Sequence, residues 1–273
     1  MFSTITNPRI EIKSNKLRID NPISKGIPSP LPGGKSDPKA FAFALCGPPG
    51  SGKSTLANSL LSEKGKHSRV YYKRFNHVYL ICPKTSVRSL PKNHPMRNHP
   101  EEKIYEDFDE ETLTEIMDRV ENNVENGERS LLFCDDIGSR LKQNRRLEKL
   151  FAFLLQTRRH RMLSFIITLQ TFNDMSLTAR KNISHCAFWR STNRKEALSI
   201  WDEILPLDSK GEVDALFDFV YDKPYNFLYV KLYSGKLYKN FMLIKYNNAL
   251  KKGRAKAQSE TEGQEEGETE SKA

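Results

Sequence analysis

Short apolar runs alternate with helix-period segments through the middle of the chain. Residues 41–46, 77–82, 130–135, 164–169 and 184–189 read as buried strands, whereas 54–61, 110–122, 145–157 and 194–204 space their apolar positions as one helix face requires. Strands separated by helices predict an α/β fold with a mainly parallel central sheet flanked by helices on both faces. Beyond it, residues 226–232 and 236–243 flank the turn signal Ser234-Gly235 and predict a C-terminal β-hairpin that extends the sheet edge.

The pattern lapses at both ends. Residues 1–39 carry Pro8, Pro22, Pro28, Pro30, Pro32 and Pro38 with little apolar periodicity, which predicts an extended arm, or a short edge strand, followed by a linker. Residues 40–250 are then the folded domain. The remaining 251–273 begin with Lys251, Lys252, Arg254 and Lys256, turn acidic, and hold too little apolar surface to order themselves.

The most specific local signal joins the first strand to the first helix. Gly47-Pro48-Pro49-Gly50-Ser51-Gly52-Lys53-Ser54 fits G-x-x-x-x-G-K-[ST], and Thr55 follows it. Glycines let backbone N–H groups close around a phosphate without Cβ clashes, and the helix behind points its positive end at the same anion. Gly47 to Thr55 are therefore the candidate nucleotide contacts, with Lys53 on the terminal phosphates and Ser54 on Mg²⁺. The expected ligand is ATP or GTP.

A second signal is Leu131-Leu132-Phe133-Cys134-Asp135-Asp136, an apolar strand ending in two acids. Parallel strands open their carboxyl ends on one edge, so these carboxylates should meet the phosphate loop there. Asp135 is then a candidate Mg²⁺ ligand, and Asp136 a candidate to orient or deprotonate water. One apolar strand intervenes between loop and acids and another follows, ending at Gln170, which is the order found in motor ATPases with an extra strand. Gln170 would sense the terminal phosphate. Before that strand, Arg158, Arg159 and Arg161 form a cationic turn where an arginine could reach a neighbouring subunit's nucleotide; a solvated turn or a DNA-backbone contact explains the same residues. Arg180 and Arg190 are weaker substitutes.

Charge narrows the partners. The net charge is +10, yet residues 259–273 contain six Glu and one Lys, so the rest of the chain carries +15. Such an excess favours a polyanion, most simply nucleic acid, although solubility alone would also account for it. Cys46, Cys82, Cys134 and Cys186 have no metal-type spacing and read as core residues of a reducing compartment. The expectation is a soluble intracellular protein with no membrane-spanning segment.

These segments together resemble the FtsK-HerA superfamily and, within it, the poxvirus-type genome-packaging ATPases of large DNA viruses and virophages. The likeness runs from Phe41 to Tyr246 and rests on GPPGSGKST at 47–55, Ile81-Cys82-Pro83, LLFCDD at 131–136 and RHRMLSFIITLQ at 159–170. It implies a RecA-like P-loop NTPase of the extra-strand (ASCE) type that uses ATP and Mg²⁺. It also implies that Asp135 is the metal-binding acid, Asp136 the catalytic acid, Gln170 the sensor and Arg159 the arginine acting in trans. A homo-oligomeric ring that threads double-stranded DNA into a preformed capsid is implied too. Capsid proteins at the packaging vertex would be its partners, and the cytoplasmic viral factory or the virion its location. Two alternatives remain: a nucleoside or polynucleotide kinase, which would place the acidic strand beside the loop strand, and an AAA-type loader or switch, which would add a helical lid domain after the fifth strand.

Overall fold

The computed structural model describes residues 10–12, 30–34, 40–61, 70, 71, 73–82, 97 and 99–246. The strands are β1 (Ile10–Ile12), β2 (Ala42–Cys46), β3 (His77–Ile81), β4 (Ile104–Tyr105), β5 (Ser130–Cys134), β6 (Leu163–Leu169), β7 (His185–Trp189), β8 (Phe227–Lys231), β9 (Lys236–Lys239) and β10 (Met242–Tyr246). The α-helices are α1 (Lys53–Leu61), α2 (Glu110–Glu125), α3 (Gly138–Gln143), α4 (Arg145–Thr157), α5 (Leu177–Lys181), α6 (Arg194–Ile204) and α7 (Lys210–Val220). One sheet runs β1-β10-β9-β8-β7-β2-β6-β5-β3-β4. From β4 to β7 all pairings are parallel, and from β7 through β8, β9, β10 and β1 they are antiparallel.

The strand β6 lies between the loop strand β2 and the acidic strand β5, with Cys46 opposite Leu169 and Cys134 opposite Ile167. This is the extra-strand arrangement. All seven residues of β6 are buried, as a strand hydrogen-bonded on both sides and covered on both faces must be. Period-two alternation divides β2 and the residue before it between two cores: Ala42, Ala44 and Cys46 face one, Phe41, Phe43 and Leu45 the other.

The two faces are covered unequally. Among the described residues, α2 and α4 to α7 pack on the face of Ala44, whereas α1, Tyr71 and Leu31 cover that of Phe43. Side chains cap the longer helices as their sequences require: Asp109 accepts from the Thr112 N–H, Asn144 from those of Arg146 and Leu147, and Ser209 forms a capping box with Glu212.

Two findings depart from the sequence pattern. The expected C-terminal hairpin forms between β8 and β9, but its second arm, expected over 236–243, is broken at Asn240 (φ 55°), where the chain turns into β10 and extends the hairpin to a meander. Asn240 tolerates the left-handed turn because its side chain accepts the Phe227 N–H at 3.0 Å and donates to Asn226 Oδ1 at 3.0 Å. Residues 30–34 lie within the stretch expected to be arm or linker, yet they are docked. Leu31 is buried, and Pro30 and Pro32 carbonyls accept the hydroxyls of Tyr229 and Tyr71 at 2.7 and 2.9 Å. The tail 251–273 lies outside the described residues.

A candidate nucleotide-hydrolysis site at the carboxyl edge

Ending β2 at Cys46 turns the chain into the glycine-rich loop at the carboxyl edge, and α1 begins at Lys53. Gly52 has φ 102°, a conformation closed to residues with a Cβ, and so allows the sharp entry into the helix. The Lys53 ammonium is buried and donates to the carbonyls of Gly47 at 2.6 Å and Pro48 at 2.9 Å. Burial lowers its pKa from the ordinary lysine value, opposed chiefly by the Asp136 carboxylate, then by Cys46 and Asp135. Ser51 Oγ is buried without a hydrogen-bond partner among the described residues. A loop that holds a cation against its own carbonyls and leaves a buried hydroxyl unpaired is suited to an incoming anion.

The two acids meet this loop. Ser54 Oγ donates to Asp135 Oδ1 at 3.0 Å, and so does Thr168 Oγ1 at 2.7 Å. Thr168 also accepts the Asp136 N–H at 2.8 Å, so one buried hydroxyl of β6 fixes both acids. Asp136 has φ 52°, in the left-handed region that aspartate tolerates better than most residues. Its carboxylate accepts from Gln170 Nε2 at 3.0 Å, and both side chains are exposed. Ser54, Asp135, Asp136 and Gln170, separated by up to 116 positions, thus form one connected edge. The hard oxygen donors of Ser54 and Asp135 match what Mg²⁺ takes from a protein when phosphates and water complete its shell.

Arg159 is not brought to this edge. It precedes β6, at the end opposite Gln170, and a strand of that length separates them by roughly 20 Å. Its neighbours are committed elsewhere. Arg158 is buried and donates to the Leu155 carbonyl at 2.7 Å, with burial pushing its pKa down to about 10; Arg161 pairs with Glu121. Arg159 is exposed, with no partner among the described residues. Arg180 is held by Glu203 through two bonds of 2.8 Å. Arg190 follows β7 at the carboxyl edge and is exposed.

Several residues at the site carry no motif. Thr168 was detectable only as a polar position two residues before Gln170 in an apolar strand. Asp174 accepts from the Thr171 N–H and hydroxyl at 3.0 and 2.7 Å and from Lys142 at 2.6 Å, closing the turn after Gln170. Burial alone would raise its carboxyl; the Lys142 ammonium and the Thr171 bonds outweigh that and hold it below its usual value. The acidic-strand loop packs on the same turn: a Cβ on Gly138 would lie 2.5–2.8 Å from Asp174 atoms.

Phosphate loop, paired acids, interposed β6 and terminal Gln170 together define a P-loop ATPase of the extra-strand class. The chain belongs to the Poxvirus A32 protein family, whose profile matches residues 35–204, more than half its length. Its fold is similar to that of B204, the DNA-packaging ATPase of Sulfolobus turreted icosahedral virus (TM-score 0.52, 14% identity, covering 73% of this chain and 96% of that one). It is also similar to the genome packaging NTPase B204 of Sulfolobus turreted icosahedral virus 2 in complex with ATP-γS (TM-score 0.55, 15% identity, covering 74% and 97%). No curated protein matches by sequence. Among the described residues, no helix is long and apolar enough to cross a membrane.

Proposed function

We propose that this protein hydrolyses ATP to drive double-stranded DNA through a homo-oligomeric ring into a preformed capsid, at a packaging vertex built of capsid proteins. The observation that carries the catalytic part is the Ser54–Asp135–Thr168–Asp136–Gln170 chain of hydrogen bonds. In this reading residues 47–55 cradle the phosphates and Lys53 shifts from the loop carbonyls to the terminal phosphate oxygens. Ser54 and Asp135 hold Mg²⁺, which when bound neutralises charge developing on the phosphates. Asp136 accepts a proton from water, and Gln170, already bonded to it, positions that water and reports the terminal phosphate. Arg159 lies too far from its own site for action in cis, so it would serve a neighbouring subunit's nucleotide.

The DNA and capsid parts rest on membership of the poxvirus family, on fold similarity to a DNA-packaging ATPase and on the positive body. The kinase alternative expected the acidic strand beside the loop strand, whereas β2 is flanked by β6 and β7. The loader alternative expected a helical lid domain, whereas α6 and α7 pack on the common core and the chain returns to the same sheet.

The test is steady-state ATP hydrolysis with and without long double-stranded DNA, in wild type and Asp136→Asn. Stimulation by DNA that the substitution abolishes is expected. Turnover indifferent to DNA, or transfer of the γ-phosphate to a nucleoside or DNA end, would overturn the motor reading.

A further inference from the structure

Beside the phosphate loop opens a cleft of about 720 Å³ with one aromatic wall: Trp189 ending β7, Tyr225 in the turn before β8, and Phe227 opening β8. The opposite wall is the loop itself and α1 as far as Ser59. In the proposed function residues 50–54 would serve the phosphates and Mg²⁺. Nothing in hydrolysis uses the aromatic wall.

Tyr225 is unusual in exposure and backbone together. It is 72% exposed, and its φ is 65°, where a bulky aromatic is a genuine outlier. Such a conformation persists only where the surroundings impose it. Here they do. Trp189 Nε1 donates to the Tyr225 carbonyl at 3.2 Å, and the Tyr221 hydroxyl donates to the Phe188 carbonyl at 3.0 Å. The Asn226 N–H closes the turn on the Lys223 carbonyl at 3.3 Å, while its Nδ2 donates to Asp222 Oδ1 at 2.7 Å. Asp222 is in turn held by Lys239 at 2.6 Å. The turn is therefore pinned to the end of β7, beside the strand that delivers the phosphate loop. The consequence is a ring presented to the loop: a Cβ built on Gly52 would lie 3.7 Å from Tyr225 Cδ1. Among the described residues, Tyr225 stacks on no other ring, whereas Trp189 and Phe227 contact each other at 4.9 Å between centroids.

We infer that Tyr225, backed by Trp189 and Phe227, is the stacking platform for the base of the nucleoside triphosphate. The inference rests on the proposed use of ATP at this site and adds the residue that binds the base. An aromatic ring held at low entropic cost at the mouth of an apolar wall suits a planar base, because stacking needs only its π-face. The strained backbone then has a function: relaxing φ would carry the ring away from Gly52.

Calorimetric binding of Mg²⁺-ATP and of Mg²⁺-tripolyphosphate to the full chain separates base from phosphate recognition. Tyr225→Gly removes the ring and accommodates the left-handed backbone. It should weaken ATP about tenfold, leave tripolyphosphate unchanged and not lower Tm. Tyr225→Phe, which keeps the ring, should restore ATP affinity. Unchanged ATP affinity in Tyr225→Gly would overturn the inference, as would equal losses for both ligands, which would mean that the turn merely supports the loop. A wild-type chain that binds tripolyphosphate as tightly as ATP would deny a base subsite while leaving the phosphate site standing. A wild-type chain that binds neither would overturn the proposed function and this inference with it.

Discussion

The two halves of the sheet solve different problems. The parallel half, β4 to β7, buries its central strands β5, β6, β2 and β7 and gathers its polar groups on one edge, where Ser54, Asp135, Thr168, Asp136 and Gln170 interlock. The antiparallel half is an aromatic surface. Tyr229 contacts Phe43, Tyr238 and Phe241 at centroid distances of 5.7, 5.3 and 5.2 Å, and Phe241 leads on through Phe227 to Trp189. Its cover is residues 30–34, fastened by tyrosine hydroxyls to proline carbonyls, which cannot come from a local pattern. The parallel half is thus specialised for chemistry and the antiparallel half for building and for bracing the turn that carries Tyr225. They meet at β7.

If that division holds, substitutions in the two halves should separate turnover from stability. The largest effect belongs to Asp136→Asn, which should lower kcat for ATP about 10²- to 10⁴-fold while nucleotide binding and Tm stay near wild type. A comparable loss of binding would mean that Asp136 supports the loop rather than the water.

Gly138→Ala should cost both properties, because its Cβ would be driven into Asp174 at 2.5–2.8 Å. Overpacking of that kind destabilises by about 1–3 kcal/mol. Since Asp174 closes the turn behind Gln170, kcat should fall as well. Thermal unfolding and turnover measured on the same preparation check both, and a change in Tm alone would uncouple the Gln170 turn from catalysis.

In the antiparallel half, Tyr229→Phe removes the hydroxyl that donates to the Pro30 carbonyl and leaves the ring in place. Denaturant unfolding should show a loss of about 1 kcal/mol with kcat unchanged. Reduced turnover would break the comparison, since it would carry the meander's integrity to the site.

The smallest effect is on pH. The Asp174 carboxyl is held below its usual value, so the folded state binds fewer protons there than the unfolded chain. Its contribution is complete above the ordinary aspartate pKa of about 3.9 and is lost as pH falls through the lower, folded value. Protection of the Thr171 amide against hydrogen exchange should therefore hold from neutral pH to about 4 and drop only below it. Loss at higher pH would assign the turn to another group.

Much of the parallel half was legible from the residues. An apolar strand, a glycine-rich loop and a helix are contiguous, so their local geometry already implies a phosphate cradle. The alternation of strands and helices likewise implies a mainly parallel sheet, whereas the place of β6 between β2 and β5, which separates the motor order from the kinase order, is a tertiary fact. Reading 236–243 as one strand has a plain cause: Asn240 sits among strand-favouring Leu237, Tyr238, Phe241 and Leu243, and only its bonds to Phe227 and Asn226 turn the chain there. The arginine cluster shows the same limit. Arg158, Arg159 and Arg161 are equivalent as letters, and burial against Leu155 and pairing with Glu121 are what leave Arg159 available.

By itself, then, the sequence determined the phosphate loop, the acid pair, the position of Gln170 and the α/β class, because each depends on neighbours in the chain or on a simple period. Tertiary structure alone decided that Thr168 would fix both acids, that Asp174 would meet Gly138, that residues 30–34 would cover Tyr229, and that Tyr225 would stand over Gly52. Each is a contact between segments brought together by the sheet, selected by packing and hydrogen-bond satisfaction across the whole fold, and no local pattern records it.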